Sequence, residues 1–251
     1  VAGLTGCFLF TSCRSAQETT ARYEISKVEG NMITIDSTWD ANPDKKATTV
    51  LKPYKDKVDA MMYEVIGTSE MKMDKGTPES LLSNLVASVL QEAAAQVLGK
   101  PADMGLVNMG GLRNILPKGD ITVGAVFEIL PFENSLCVLT MKGTDMKRLF
   151  KAIASLHGEG VSGIRLEINK KGELLNATIG GKPVVDDQLY TVATIDYLAD
   201  GNGRMDAFLQ AEKRECPEDA TLRGLFLDYV RKQTAEGKII TSKLDGRITV
   251  K

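Results

Sequence analysis

Three short runs of this chain carry side chains able to hold a ligand. Asn108-Met109-Gly110-Gly111-Leu112-Arg113 brings together an amide, two glycines and a guanidinium. Without a Cβ, Gly110 and Gly111 let backbone N–H groups come close to a bound molecule. Arg113 offers a planar fork of donors suited to oxyanions, and Asn108 can both donate and accept. Leu130-Pro131-Phe132-Glu133-Asn134 adds an aromatic ring and a second amide. Asp196-Tyr197-Leu198-Ala199-Asp200-Gly201-Asn202-Gly203 adds another ring, Tyr197, and Asn202. The chemistry open to these groups is recognition rather than bond breaking. Taken singly each has a plain structural reading, a Gly-Gly turn for the first and a core aromatic for Phe132.

Groups for catalysis are scarce. Two-metal phosphoester hydrolysis needs several His and carboxylate ligands, and the chain has one histidine, His157, in Leu156-His157-Gly158-Glu159-Gly160. There is no Gly-x-Ser-x-Gly elbow to present a serine nucleophile. The four cysteines, Cys7, Cys13, Cys137 and Cys216, match no zinc spacing. Cys137 lies in an apolar run and reads as a small core residue; its pairing with Cys216 is left open. The net charge of -2 gives no electrostatic footprint for a nucleic-acid polymer or an anionic lipid surface. A nucleotide monomer needs only one or two well-placed cations.

The elements that must position these residues are legible in outline. With 251 residues, 43% of them apolar and 25% charged, the chain has the composition of an ordinary globular protein with one large domain or two small ones. Tyr23 to Asp36 alternates around Glu29-Gly30-Asn31, a hairpin signal. Apolar residues at helical spacing run from Asp44 to Met62, with Pro53 expected to start or kink the helix. A strand follows at Tyr63 to Gly67. The longest apolar stripe predicts a helix over Pro78 to Leu98, capped by Thr77 and ended by Gly99. Met104 to Val107 reads as a buried strand delivering Asn108. Helices are expected at Thr122 to Ile129, Thr144 to Leu156 and Glu218 to Thr234. Strands are expected at Leu136 to Met141, Ile164 to Ile168, Leu174 to Ile179, Gln188 to Ile195 and Arg247 to Val250. This mixed order predicts an α+β fold, a mixed sheet with packed helices.

The three runs together resemble the C-terminal, substrate-binding domain of the 5'-nucleotidase and UDP-sugar hydrolase family. The resemblance covers about Tyr23 to Val250 and implies a fold of that kind for residues 23–251. It also implies roles. Asn108, Gly110, Gly111 and Arg113 would meet the polar part of a nucleoside or its phosphate. Phe132 and Tyr197 would stack on the two faces of a base, with Asn134 touching the same ligand. The family's Gly-Gly-Asp is Gly201-Asn202-Gly203 here, so its ribose-binding carboxylate is replaced, with Asn202, Asp200 or Asp206 as stand-ins. A further family arginine before the long helix has only Lys72 or Lys75 nearby.

The family's metal-bearing N-terminal domain has no counterpart in these residues. The expectation is therefore a nucleotide- or nucleoside-recognition module of a split 5'-nucleotidase. A separate metallophosphoesterase chain would carry the divalent metals, and this chain would hold no cofactor of its own. The alternative is a stand-alone surface lipoprotein that binds nucleosides or nucleotides without catalysis. Residues 1–22 resemble a truncated bacterial lipoprotein signal and tether, with Cys13 as the lipid-bearing residue. That implies export and membrane attachment in a bacterial envelope, periplasmic or at the cell surface, through the lipid alone. No later stretch is expected to span a bilayer.

Overall fold

The structure is a computed structural model that describes residues 24–251. The expected signal, its tether and Cys13 lie outside the described residues. The chain divides into two compact units, one ending at Val50 and one covering Leu51–Lys251. In the first, residues 24–35 form neither strand nor helix, so the hairpin expected around Gly30 is not there. A two-stranded ribbon is marginal without a surface to pack on, and these residues are exposed. A 3-10 turn, Ser37–Ala41, follows, with Asp36 accepting the Thr38 N–H at 3.0 Å.

Along the chain the elements are α1 (Lys45–Met62), β1 (Val65–Ser69), α2 (Leu81–Ala93), α3 (Ala95–Leu98), β2 (Met104–Val107), β3 (Gly119–Thr122), α4 (Val123–Ile129), β4 (Leu136–Lys142) and α5 (Gly143–Ser155). They continue as β5 (Gly160–Ser162), β6 (Ile164–Ile168), β7 (Leu174–Ile179), β8 (Lys182–Pro183), β9 (Leu189–Ile195), α6 (Asp196–Ala199), β10 (Lys213–Glu215), α7 (Leu222–Ala235) and β11 (Ile248–Val250). Pro53 lies inside α1 rather than at its start. The long helix begins later than expected: Ser80, not Thr77, caps it by accepting the Ser83 N–H. Gly99 ends its last turn in the left-handed conformation, as its lack of a Cβ allows. Leu81–Leu98 is also apolar and long enough to cross a membrane by length and composition, against expectation, but half of it is buried. Its buried residues include Leu82, Leu85, Val86, Val89 and Leu90, and they belong to the core.

A five-stranded sheet in the order β10-β4-β9-β2-β5 is the centre of the second unit. β4 and β9 pair antiparallel over their whole length, whereas β2 runs parallel to β9. A four-stranded sheet, β11-β6-β7-β8, and the β1-β3 pair complete a mixed α+β architecture. The short strands β3, β5 and β10 carry too few residues for a periodicity to show in the sequence. Helix α2 lies against β2 and β5. Gly105 permits that closeness, because a Cβ there would sit 2.2 Å from the Ala87 carbonyl oxygen.

Candidate functional site

Strand direction brings the three sequence runs together. β2 and β9 run parallel, so their C-terminal ends lie at the same edge of the sheet. β4 is antiparallel to β9, with Leu136 opposite Ile195, so β4 starts at that edge. The end of β2 delivers Asn108, the approach to β4 delivers Phe132 and Asn134, and the end of β9 delivers Tyr197. Further bonds tie the segments: Asp196 N donates to Ser135 O at 2.9 Å, and the Thr194 hydroxyl to Leu106 O at 3.0 Å.

At this edge lies a cavity of about 320 Å³ lined by Asn108, Gly110, Gly111, Phe132, Asn134 and Tyr197. That volume is near the lower end of ligand clefts, roughly 300–1,000 Å³. The two rings are not core aromatics. Phe132 is 48% exposed and Tyr197 44%. The remaining lining is amide and backbone, so the walls combine stacking faces with hydrogen-bonding groups and carry no charge of their own. Arg113 stands beside the wall: its guanidinium carbon is 5.9 Å from the centre of the Phe132 ring, and Nη1 donates to Gly110 O at 3.3 Å.

The Asn108 side chain folds over the two glycines. A Cβ on Gly111 would come 3.1 Å from Asn108 Oδ1, and one on Gly110 would come 3.3 Å from Nδ2. The glycines therefore make room for this amide. Asn108 Oδ1 is buried yet has no hydrogen-bond partner among the described residues, a costly state for a polar atom. Asn134 is held differently, with Nδ2 donating to Asp196 Oδ1 at 3.0 Å.

Two charged residues brace the Asn108 loop from opposite polarities. The Met109 N–H donates to the Glu159 carboxylate, and Lys75 Nζ donates to the carbonyls of Met109 and Leu112. Burial pushes Glu159 up to about 7; the Met109 bond pulls the other way and is outweighed. Lys75, foreseen only as a substitute for an absent arginine, is thus a loop brace. Glu159 was not foreseen. No motif marks it, and only the pairing of Gly160 with Val107 puts it beside the loop.

Asn202 sits in the exposed turn Asn202–Arg204 and is not among the lining residues. Asp200 pairs with Arg214 at 2.7 Å, and Asp206 is exposed. His157 is exposed, with a positive φ of 60°. Cys137 and Cys216 are joined by a disulfide, which closes the option left open by the sequence.

The 5'-nucleotidase, C-terminal domain family profile matches residues 65–210, which include every cavity-lining residue. The chain belongs to this family. Endonuclease YhcR of Bacillus subtilis is 28% identical over 188 residues, covering 72% of this chain and 15% of that protein. Cell wall protein Lmo0130 of Listeria monocytogenes is 27% identical over 240 residues, covering 84% of this chain and 30% of that protein. A crystal structure of a 5'-nucleotidase precursor from Thermus thermophilus superposes with a TM-score of 0.69 at 26% identity, covering 84% of this chain and 44% of the other. The chain thus spans less than half the length of each of these three relatives. The α+β reading and the family resemblance both stand, as a 5'-nucleotidase C-terminal substrate-binding domain.

Proposed function

We propose that this domain is the nucleotide- or nucleoside-recognition module of a split 5'-nucleotidase. The observation that carries the reading is the meeting of Phe132 and Tyr197, both about half exposed, on one small cavity with Asn108 and Asn134. A flat heteroaromatic base suits such walls, since stacking contributes about 1–3 kcal/mol per base while amides bond its edge. Arg113, beside the Phe132 ring, is the cation for the phosphate or the polar sugar end. A separate metallophosphoesterase chain would supply the divalent metals and the attacking water. This domain would then act by positioning the ester.

The Cys137–Cys216 disulfide and the cell-wall relative support an exported location, with Cys13 as the proposed lipid anchor. Titration calorimetry with adenosine and AMP tests the reading. Both should bind, AMP more tightly through Arg113. Absence of any heat with either ligand would overturn it.

A further inference from the structure

Asp196 lies between the two aromatic segments and is not itself part of the cavity wall. Its Oδ1 accepts from Asn134 Nδ2 at 3.0 Å and from the backbone N–H of Tyr197 at 2.7 Å. One oxygen therefore ties the Phe132 segment to the start of the helix that carries Tyr197. The chemistry of the pair also fixes the polarity of Asn134. A carboxylate only accepts, so the amide must turn its NH₂ to Asp196. Its Oδ1 then has no donor among the described residues, and Asn134 is a lining residue of the cavity. The opposite amide orientation would set two acceptors against each other.

We propose that Asp196 is a positioning residue that makes Asn134 a hydrogen-bond acceptor toward the cavity, so that the site selects a base presenting an N–H donor. The proposal rests on the base-binding reading above and adds to it which edge of the base is read. The ligand class is an aminated heteroaromatic base. A ring with only acceptors at that edge would face Asn134 Oδ1 across an unpaired contact, which is unfavourable.

Adenosine and purine riboside test this, since they differ only in the exocyclic amino group. The wild-type domain should bind adenosine about tenfold more tightly, the size of one well-made hydrogen bond. In Asp196→Ala the amide of Asn134 is free to turn, and the ratio should fall to about one to three. Asn134→Ala sets the limit and should give a ratio near one. If Asp196→Ala does not fold, Asp196→Ser carries the same comparison, its hydroxyl still able to accept from the Tyr197 N–H. Equal weakening of both ligands in the variant would mean a purely structural role and overturn the proposal. A wild-type ratio of one would also overturn it while leaving base binding intact. Failure of the wild type to bind either nucleoside would overturn the base-binding reading itself.

Discussion

A ring half exposed at a cavity is held there against the hydrophobic tendency to bury it, and a ligand face can supply the missing cover. Phe132 and Tyr197 are both in that position. Replacing either by Ala should weaken adenosine binding by about 1–3 kcal/mol, read by calorimetry. Arg113→Ala should cost AMP more than adenosine, because only AMP carries the oxyanion for a charge-assisted bond; equal losses would place the phosphate elsewhere. Glu159 gives a prediction in pH. Its folded value of about 7 lies above the ordinary 4.5, so between those values the native state holds the extra proton. Stability therefore falls as pH rises from about 4.5 to 7 and is level above. Glu159→Gln, which can still accept from Met109, should remove that slope, as denaturant midpoints across the range would show. Phe132, Tyr197, Asn108 and Asn134 are legible as cavity residues because each sits in a recognisable run, whereas Asn202 sits in one too and does not line the cavity. Asp196, Glu159 and Lys75 act through partners far along the chain, and no local spacing reveals such a partner.

Helix α7 shows how an element can build a site it does not line. Arg223, in its first turn, is 7% exposed. Its Nη1 donates to Leu130 O at 3.0 Å and Phe132 O at 3.5 Å, and its guanidinium carbon lies 4.1 Å from the Phe127 ring centre. It also pairs with Glu133, but that side chain is 73% exposed, so solvent screens the pair and it contributes little. What matters is the turn before β4, whose carbonyls would otherwise lack donors. Arg223→Leu should cost about 1–3 kcal/mol of stability for the stranded carbonyls and loosen Phe132. Urea unfolding and adenosine titration on the same variant check both effects. Arg223→Lys keeps the charge but not the fork and should fall between. The extent of α7 is nearly readable, yet its spacing predicts a start at Glu218, whereas the cap is Thr221, which accepts the Gly224 N–H at 3.1 Å. The hairpin signal at Gly30 failed for the opposite reason. Turn chemistry is present, but residues 24–35 are exposed, and a two-stranded ribbon is marginal without packing.

At the scale of the whole molecule, the central sheet is an instrument for convergence. One parallel and one antiparallel pairing place the ends of β2 and β9 and the start of β4 at one edge, so segments far apart in sequence share a cavity. The order of elements foretold the α+β class, but no local pattern tells which strand lies beside which. The proposed division between recognition here and chemistry on a partner can be tested on the chain by itself. The cavity lining is uncharged and His157 is exposed, and on that reading this domain positions the ester while a partner's metals supply the nucleophilic hydroxide. The purified chain with AMP and Mg²⁺, Mn²⁺ or Zn²⁺ should release no phosphate above background, as a colorimetric phosphate assay would record. Addition of a metallophosphoesterase chain that recognises this domain should restore turnover, and Phe132→Ala should lower that turnover mainly through KM, since stacking holds the base in ground and transition states alike. Robust metal-dependent hydrolysis by the chain alone, retained in His157→Ala, would contradict the proposed division of labour between recognition here and chemistry on a partner.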